Sequence, residues 1–337
     1  NGRLLQTLQT ADLPPISTGS FTPEFSRDGE YLFLAGSKRF QVGHVWKLNL
    51  QNQDPEQPVP PVATWQCGGN VVMTPDSRWI IQNGIGDENS LQVHDLTTGR
   101  LVATWKTTLK RPRVSVSPLT NRFSVIGSTS RIRIYAMPAW MSKPQEDIDE
   151  SELKQQPKLL DEFAHQTHHS RVYSVAWSDD GRFLSAGTSA GGLFIWDTFN
   201  NRQTVNLSGH RYTIFETRFS PDASQLFSSG WDGNMRVWDT ASTNLLLHTS
   251  GGDIHLSTDG SRVASVESHE GTYNLVVSQF SDAPEHRVLQ DAGQPFLTSS
   301  MALSGNGDIL ASSHIDGLRF WNVATGSTTR LSRTSAN

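Results

Sequence analysis

The sequence is poor in cysteine, in charged residues and in long apolar runs. Its 337 residues include one cysteine, Cys67, which excludes an intrachain disulfide framework and a metal site built from several cysteines. No apolar run approaches the length that spans a membrane, so we expect no membrane insertion. Charged residues make up 18% of the chain and the formal net charge is -5, which gives the chain as a whole no electrostatic reason to bind nucleic acid.

Two further absences concern the start of the chain and its location. The sequence has no signal peptide, and we expect a cytoplasmic protein. It also has no initiator methionine: it begins at Asn1, within a repeat pattern, which suggests a piece of a longer protein. What the sequence does contain is 27 glycines, 15 phenylalanines and 10 tryptophans, a composition typical of a turn-rich β protein.

Seven segments end in the same pattern, in which alternating apolar residues lead to an aromatic residue or its substitute. The clearest copies end at Trp196-Asp197, Trp238-Asp239 and Trp321-Asn322. The equivalent positions along the chain are Trp46, His94, Tyr135, Trp196, Trp238, Val277 and Trp321. The steps between them are 48, 41, 61, 42, 39 and 44 residues, and five of the six lie near the blade length of a β-propeller, about 40–45 residues.

A turn-forming phrase of Pro, Asp, Asn, Ser and Gly precedes each of these endings, and short runs of period two surround it. The pattern gives four strands per unit with almost no helical periodicity. We therefore predict an all-β protein, a seven-bladed β-propeller of four-stranded antiparallel blades, forming a single domain over residues 1–337. The predicted blades are 17–66, 67–107, 108–164, 165–208, 209–250, 251–291 and 292–331.

The fifth unit, GHRYTIFETRFSPDASQLFSSGWDGNMRVWD, resembles the WD-repeat family closely, and the resemblance covers nearly the whole chain in divergent form. In that family four side chains of a blade form a hydrogen-bonded tetrad. The resemblance assigns this role to His210, Ser228, Asp232 and Trp238. Linked in this way, each buried polar group has a partner.

The other units keep less of the tetrad. The fourth unit retains His168 and Trp196, but Ala190 stands where the resemblance implies an aspartate. We therefore expect the degenerate blades to be held mainly by apolar packing. The chain is also similar to WD-repeat regions of bacterial regulatory proteins, some of which are joined to a protein kinase.

The two ends of the sequence compete for one place in the last blade. Residues 3–8 and 328–331 both have the pattern of an outer strand, which gives 29 candidates for the 28 strands of seven blades. In the resembled family the N-terminal segment usually supplies the outer strand of the last blade. We therefore expect 3–8 to close the ring and 327–337 to be loose or an outlying strand. Alternatively, 2–8 is the tail of a preceding blade in a longer protein.

The longest step between units contains a polar insert, residues 142–157, with an acidic run over 146–152. Such a stretch cannot bury enough apolar surface to order itself alone. We expect a solvated loop on the bottom face, between strands c and d of the third unit. A partner-docking segment is the functional alternative.

Three short motifs have ordinary structural explanations. Residues 187–191 match the G-x-S-x-G of a nucleophile elbow, but a strand follows them where that motif needs a helix, so we interpret them as a hairpin turn. His165, His168 and His169 lack a cysteine or carboxylate partner, and we expect no metal site and no cofactor. The sequon at 206–208 has meaning only in a secreted protein.

The most informative candidate site is the top face, where strands a begin and strands b and c are joined. In WD-repeat proteins, partners often dock at these positions. The resemblance places seven partner-binding residues there: Arg39, Lys110, Arg171, Tyr173, Thr213, Phe215 and Trp231. Arginine and exposed aromatic residues commonly anchor interfaces, and arginine pairs with carboxylate or phosphate. The alternative is that the cations are solvated rim residues and that Trp231 packs on its neighbours.

From this pattern we predict a non-catalytic protein–protein interaction scaffold that binds a protein or peptide, an acidic one being one option, on the top face. One alternative is a sensor or regulatory domain of a larger multidomain protein, for example a kinase-linked one. A propeller enzyme is less favoured, because the starts of strands a offer no converging His, Asp and Glu residues.

Overall fold

The computed structural model describes the chain in fourteen stretches. They are residues 7–8, 21–36, 42–48, 58–68, 70–164, 170–200, 202–257, 262–269, 272–279, 286–289, 300–304, 307–314, 317–325 and 328–331. None of the helical turns within these stretches is long and apolar enough to cross a membrane.

The described strands form seven four-stranded antiparallel sheets, each built from strands that follow one another in the sequence. This is the predicted fold class, a seven-bladed β-propeller, and it is confirmed. Within each blade the strands are called a to d in chain order, and hydrogen bonds join a to b, b to c and c to d. Every connection is therefore a simple hairpin, which the turn-rich sequence favours.

The strand bounds follow the chain. Blade 1 comprises Phe21–Phe25, Tyr31–Gly36, Val42–Lys47 and Ala63–Gln66. Blade 2 comprises Val71–Met73, Trp79–Asn83, Ser90–Asp95 and Leu101–Lys106. Blade 3 comprises Arg113–Val116, Arg122–Ile126, Arg131–Ala136 and Lys158–Ala164. Blade 4 comprises Val172–Trp177, Phe183–Thr188, Leu193–Asp197 and Arg202–Leu207.

The remaining strands complete the set. Blade 5 comprises Ile214–Phe219, Gln225–Gly230, Asn234–Asp239 and Leu245–Ser250. Blade 6 comprises Gly252–Leu256, Arg262–His269, Thr272–Gln279 and His286–Leu289. Blade 7 comprises Ser300–Leu303, Ile309–His314, Gly317–Asn322 and Thr328–Leu331. The strands belong to two compact units, one of residues 1–69 with 250–337 and one of residues 70–249.

The turn between strands a and b has the same chemistry in several blades. In blade 5 the hydroxyl of Ser220 donates to the carboxylate of Asp222 at 2.6 Å and accepts the backbone N–H of Gln225 at 2.9 Å. In blade 4, Ser178 makes the same pair of bonds, to Asp180 at 2.5 Å and from Phe183 at 2.8 Å. These side chains satisfy backbone groups that the turn leaves unpaired, which is why Ser and Asp recur at this spacing.

The core of the unit 70–249 lies between its blades, where strands b and c are buried on both faces. Trp79, Trp105, Phe123 and Trp140 are almost fully buried in one cluster. The rings of Trp105 and Phe123, from blades 2 and 3, stack with centroids 5.5 Å apart. Large aromatic side chains thus fill the widening space between neighbouring sheets.

In the unit of residues 1–69 with 250–337, blades 1 and 7 are joined by side-chain packing and share no sheet. Strand a of blade 1 packs against strands a and b of blade 7. The half-buried Phe320 of blade 7 packs against a cluster in blade 1 that contains Leu32, Leu34 and Trp46. Each of these three residues is fully buried.

The outer strand of blade 7 differs from the prediction. Thr328–Leu331 pairs with the preceding strand, with Trp321 opposite Thr328, so the C-terminal segment completes this blade. Of the predicted strand 3–8, the described residues Thr7–Leu8 pair in parallel with Pro58–Val59. The physical reason is proximity in sequence: a five-residue connection closes the C-terminal hairpin at little entropic cost.

The polar insert 142–157 also differs from the expected solvated loop. Three turns of 3-10 helix shape it, at Ala139–Ser142, Gln145–Asp147 and Glu152–Lys154. Trp140, at its start, is fully buried and packs edge-on against Trp79, with ring centroids 5.3 Å apart. Composition alone gave the wrong expectation because a few apolar anchors order a segment that is polar on average.

Polar contacts hold the rest of the insert against blade 2. The amino group of Lys143 lies 2.8 Å from the carboxylate of Glu152, which ties two ends of the insert together. The side chain of Gln156 accepts the backbone N–H of Lys106 at 2.8 Å. This bond lies on the outer edge of strand d of blade 2, so the insert covers part of an otherwise open strand edge.

Candidate functional site

Blade 5 contains a hydrogen-bonded chain of four side chains. The indole N–H of Trp238 donates to the hydroxyl of Ser228 at 2.9 Å. Ser228 Oγ lies 2.9 Å from Nε2 of His210, and Nδ1 of His210 lies 3.1 Å from Oδ1 of Asp232. The side chains of His210 and Asp232 are almost completely enclosed. The chain links the turn between strands b and c to the connection that enters the blade, which fixes the top of blade 5.

A fifth residue, Arg236, joins this network, and no sequence signal pointed to it. Its guanidinium lies 3.0 Å from Oδ2 of Asp232 and 2.7 Å from Nδ1 of His210. Burial lowers the pKa of His210; the bond to Asp232 opposes this effect and the charge of Arg236 adds to it. Burial opposes ionisation of Asp232, but bonds from His210 and from the N–H of Arg211 hold its pKa below the ordinary value. The network therefore contains an ionised carboxylate, a guanidinium and a neutral imidazole.

Blade 4 lacks this network. Ala186 and Ala190 stand at the positions of Ser228 and Asp232, as the ten-residue spacing to the tryptophan shows. Trp196 is buried between the rings of Phe163 and Phe194, at centroid distances of 5.8 and 5.7 Å. His168, the other predicted member, lies outside the described residues.

Partial versions of the network occur in two other blades. In blade 7 the indole N–H of Trp321 donates to Ser312 at 2.8 Å. In blade 2, where His94 replaces the tryptophan, the side-chain amide of Gln82 lies 3.2 Å from Nε2 of His94. The carbonyl of Gly99 lies 3.0 Å from Nδ1 of the same imidazole. A buried polar ring at this position therefore keeps its partners even where the sequence motif is lost.

The top of blades 3 to 5 carries a cluster of two aromatic rings and two arginines. The rings of Tyr173 and Trp231 meet edge to face, with centroids 5.5 Å apart and planes at 67°. The guanidinium carbons of Arg113 and Arg171 lie 4.5 and 5.2 Å from the centroid of the Tyr173 ring. We call these four residues, Arg113, Arg171, Tyr173 and Trp231, the aromatic–arginine surface. Trp231 is 61% exposed, although it is held by these contacts.

A repeated backbone bond makes this surface rigid. In blade 5 the N–H of Trp231 donates to the carbonyl of Thr213 at 2.8 Å. In blade 4 the N–H of Ser189 donates to the carbonyl of Arg171 at 3.0 Å, and the hydroxyl of Ser189 accepts the N–H of Arg171 at 3.2 Å. Each bond ties the b–c turn of a blade to the segment that enters its strand a. The exposed side chains are thus presented by a fixed backbone.

The remaining predicted top-face residues have different environments. Lys110 is exposed at the entry to blade 3, whereas Phe215 is half-buried. Thr213 is buried, and its hydroxyl donates to the carbonyl of Ser189 at 3.1 Å, so it serves the protein's own structure. Arg39 lies outside the described residues.

Sequence analysis missed two contributors to this face. Arg113 has a defined role: besides its contact with the Tyr173 ring, it donates to the carbonyl of Tyr173 at 2.9 Å. Tyr212 is 62% exposed, one residue before Thr213. The run of three arginines and lysines at 110–113 was the available signal for Arg113, but its contact with Tyr173 crosses from blade 3 to blade 4 and follows from no local pattern.

The described residues offer little for catalysis or metal binding. Within them, no group of three His, Cys, Asp or Glu side chains could hold a metal ion. Ser189, the centre of the G-x-S-x-G match, lies in a hairpin turn between antiparallel strands b and c of blade 4. His165 and His169 lie outside the described residues, as does His168.

Comparison with known proteins agrees with this architecture. The model of the family "WD domain, G-beta repeat" matches residues 159–197 and 201–239, which include most of blades 4 and 5. Propellers of this family generally mediate protein–protein interaction and scaffolding, and they are generally non-catalytic.

Several curated proteins are similar over part of the chain. Protein tipD of Dictyostelium discoideum is 24% identical over 165 residues, 49% of this chain and 27% of that protein. Eukaryotic translation initiation factor 3 subunit I of Bombyx mori is 26% identical over 232 residues, 66% of this chain and 63% of that protein. The same subunit of Saccharomyces cerevisiae is 28% identical over 167 residues, 47% of this chain and 45% of that protein. The chain thus spans less than two thirds of the length of each of these relatives.

Among solved structures, the β-propeller domain of Cps50 (Swd1) from Myceliophteria thermophila is similar, with a TM-score of 0.68. The similarity covers 95% of this chain and 99% of that domain at 12% identity, so it concerns the fold. The matched repeats, the tetrad of blade 5 and the seven four-stranded sheets agree with one another. The chain is a member of the WD-repeat family with the fold of a seven-bladed β-propeller.

Proposed function

We propose that this protein is a non-catalytic interaction scaffold and that its partner protein or peptide docks on the aromatic–arginine surface. The observation that carries the proposal is the exposure of Trp231, 61% open to solvent on a fixed backbone. A large exposed aromatic side chain that is already ordered loses little conformational entropy on binding. Tryptophan, tyrosine and arginine are also the residues that most often dominate binding energy at interfaces.

The four side chains support one another in the unbound protein. Tyr173 contacts Trp231 and both arginines, so it orders three groups that would otherwise move independently. Arg113 also bonds to the backbone carbonyl of Tyr173. A preorganised surface of this kind favours docking of a partner over simple solvation of separate rim residues.

A capture experiment with a matched control tests this proposal. The chain is immobilised and exposed to native lysate, and the proteins retained by the wild type are compared with those retained by Trp231→Ala and Phe199→Ala. Phe199 is 62% exposed, like Trp231, but lies after strand c of blade 4, at the opposite end of its strands.

We expect Trp231→Ala to reduce retention of the partner about tenfold or more and Phe199→Ala to leave it unchanged. Circular dichroism and the thermal midpoint of each variant establish that it is folded. Equal retention by both variants would show that the partner docks elsewhere and would refute the proposal.

A further inference from the structure

We propose that the aromatic–arginine surface recognises an acidic peptide segment, in which carboxylate side chains pair with Arg171 and Arg113 and a neighbouring apolar side chain packs on Trp231. This inference rests on the proposed function, since it names the chemistry of the partner at the same surface. It commits to carboxylates of Asp or Glu as the groups that are bound.

The first observation is the uncompensated charge of the surface. Among the described residues, no carboxylate forms an ion pair with Arg113 or Arg171, although both side chains are exposed. Lys110, nearby in sequence at the same entry to blade 3, likewise has no carboxylate partner there.

Neighbouring arginines of the same unit have a different environment. Arg111 pairs with Glu88 at 3.3 Å, and Arg218 pairs with Glu216 at 3.1 Å. Arg182 pairs with the buried carboxylate of Asp197 at 2.9 Å. The positive charge of the aromatic–arginine surface therefore remains available to an external anion.

The second observation is the position of the two guanidinium groups. Both lie within 5.2 Å of the centroid of one ring, that of Tyr173, so a single partner segment can reach both. A guanidinium group has five N–H donors. Arg113 uses one nitrogen for the carbonyl of Tyr173, and the donors of Arg171 make no bond to the described residues. Free N–H pairs of this geometry match the two oxygens of a carboxylate.

The third observation is the apolar neighbour. Trp231 touches the same Tyr173 ring edge to face, which leaves the rest of its indole surface open. The surface thus places a cation site and an apolar site on either side of one tyrosine. A peptide with acidic residues next to a leucine, isoleucine or aromatic residue complements both sites at once.

Charge also separates a peptide from a nucleic acid as the partner. Binding to nucleic acid relies on many basic contacts along the phosphate backbone. Here the formal net charge is -5, and Glu88 compensates Arg111 beside the surface. Two unpaired arginines and a lysine suit a short acidic segment better than an extended polyanion.

Selection from a displayed library of short random peptides tests this inference. The library is selected against the folded wild-type chain at physiological salt, and the recovered pool is measured on four variants: Arg171→Glu, Lys110→Glu, Trp231→Ala and Arg100→Glu. Arg100 is an exposed arginine at the c–d turn of blade 2, at the opposite end of the strands, and Arg100→Glu is the matched control.

We expect a recovered pool enriched in Asp and Glu next to apolar residues. Its affinity should fall about tenfold or more in Arg171→Glu and in Trp231→Ala, fall less in Lys110→Glu, and stay unchanged in Arg100→Glu. Affinity should also decrease as salt is raised, because an exposed ion pair is screened.

The outcomes distinguish this inference from the proposed function. A pool without acidic enrichment that is lost in Trp231→Ala but kept by Arg171→Glu would refute the acidic partner and retain the docking surface. A pool that binds all variants equally, or the absence of any selected peptide, would refute both. Binding of single-stranded poly(U) RNA by the wild type that is lost in Arg171→Glu would also overturn the inference, because the surface would then serve nucleic acid.

Discussion

The indole nitrogen of Trp238 lies 2.9 Å from the hydroxyl of Ser228 across two neighbouring strands of blade 5. Trp238 is 3% exposed, whereas Trp231, seven residues earlier, is 61% exposed. We expect Trp238→Ala to lower the free energy of unfolding by about 3–5 kcal/mol, because it leaves a cavity and removes a buried hydrogen bond. Urea unfolding measures this value. Trp231→Ala, the matched control, should change it by about 0.5 kcal/mol or less, and a similar loss in both variants would contradict the assignment.

A second comparison isolates the hydrogen bond from the packing of the ring. The indole N–H of Trp140, unlike that of Trp238, meets no acceptor among the described residues. Substitution by phenylalanine removes similar volume at both sites but removes a bond only at Trp238. We therefore expect Trp238→Phe to destabilise more than Trp140→Phe, by about 1 kcal/mol, in chemical unfolding. Equal effects would mean that the Ser228 bond contributes nothing net.

The polar insert should matter for stability through its buried anchor. Trp140→Ala removes a fully buried ring that packs between Trp79 and Trp105, and we expect a loss of about 3–5 kcal/mol. Glu146→Ala, an exposed position in the same insert, should change stability by about 0.5 kcal/mol or less. Differential scanning calorimetry of both variants provides the test. If Trp140→Ala unfolds at the wild-type temperature, the insert is not anchored as described.

Two buried histidines should make the protein less stable in mild acid. Burial lowers the pKa of His94 and of His210 below the ordinary value of 6.5. In the unfolded chain these side chains therefore take up protons at a higher pH than in the folded protein. As pH falls below 6.5, protonation favours the unfolded state, and the stability loss ends only below the folded-state pKa.

The measurement is the thermal midpoint of unfolding between neutral pH and pH 5. We expect the midpoint to decrease as the pH falls, and the decrease to be smaller in the double variant His94→Gln and His210→Gln. A surface variant, His248→Gln, is the control and should follow the wild type, because His248 is exposed. The same pH slope in all three proteins would argue against buried neutral imidazoles.

Much of the fold could be predicted because its signals are local and repeated. The turn phrases around Ser178 and Ser220 specify their own hydrogen bonds, and the spacing of Trp196, Trp238 and Trp321 reports the blade length directly. Strand b and c hairpins need no distant partner. Each of these features is encoded within about forty residues, the length of one repeat.

The errors arose where distant residues or small apolar anchors decide the outcome. The contact between Trp79 and Trp140 joins residues 61 positions apart, and average polarity concealed it. The stack of Arg113 on Tyr173 crosses between blades, and the approach of Arg236 to His210 has no counterpart in the tetrad pattern. Such contacts depend on how sheets are placed in space, which a single repeat does not encode.

Blade 7 takes its outer strand, Thr328–Leu331, from the segment that directly follows its strand c. Every sheet of the protein is therefore complete within one continuous stretch of chain, and none borrows a strand from the opposite end. Blades 1 and 7 meet through side chains such as Phe320 and Leu32. A circularly permuted gene, opened at any connection between two blades, would consequently encode the same seven intact sheets and would test whether their order along the chain matters for folding.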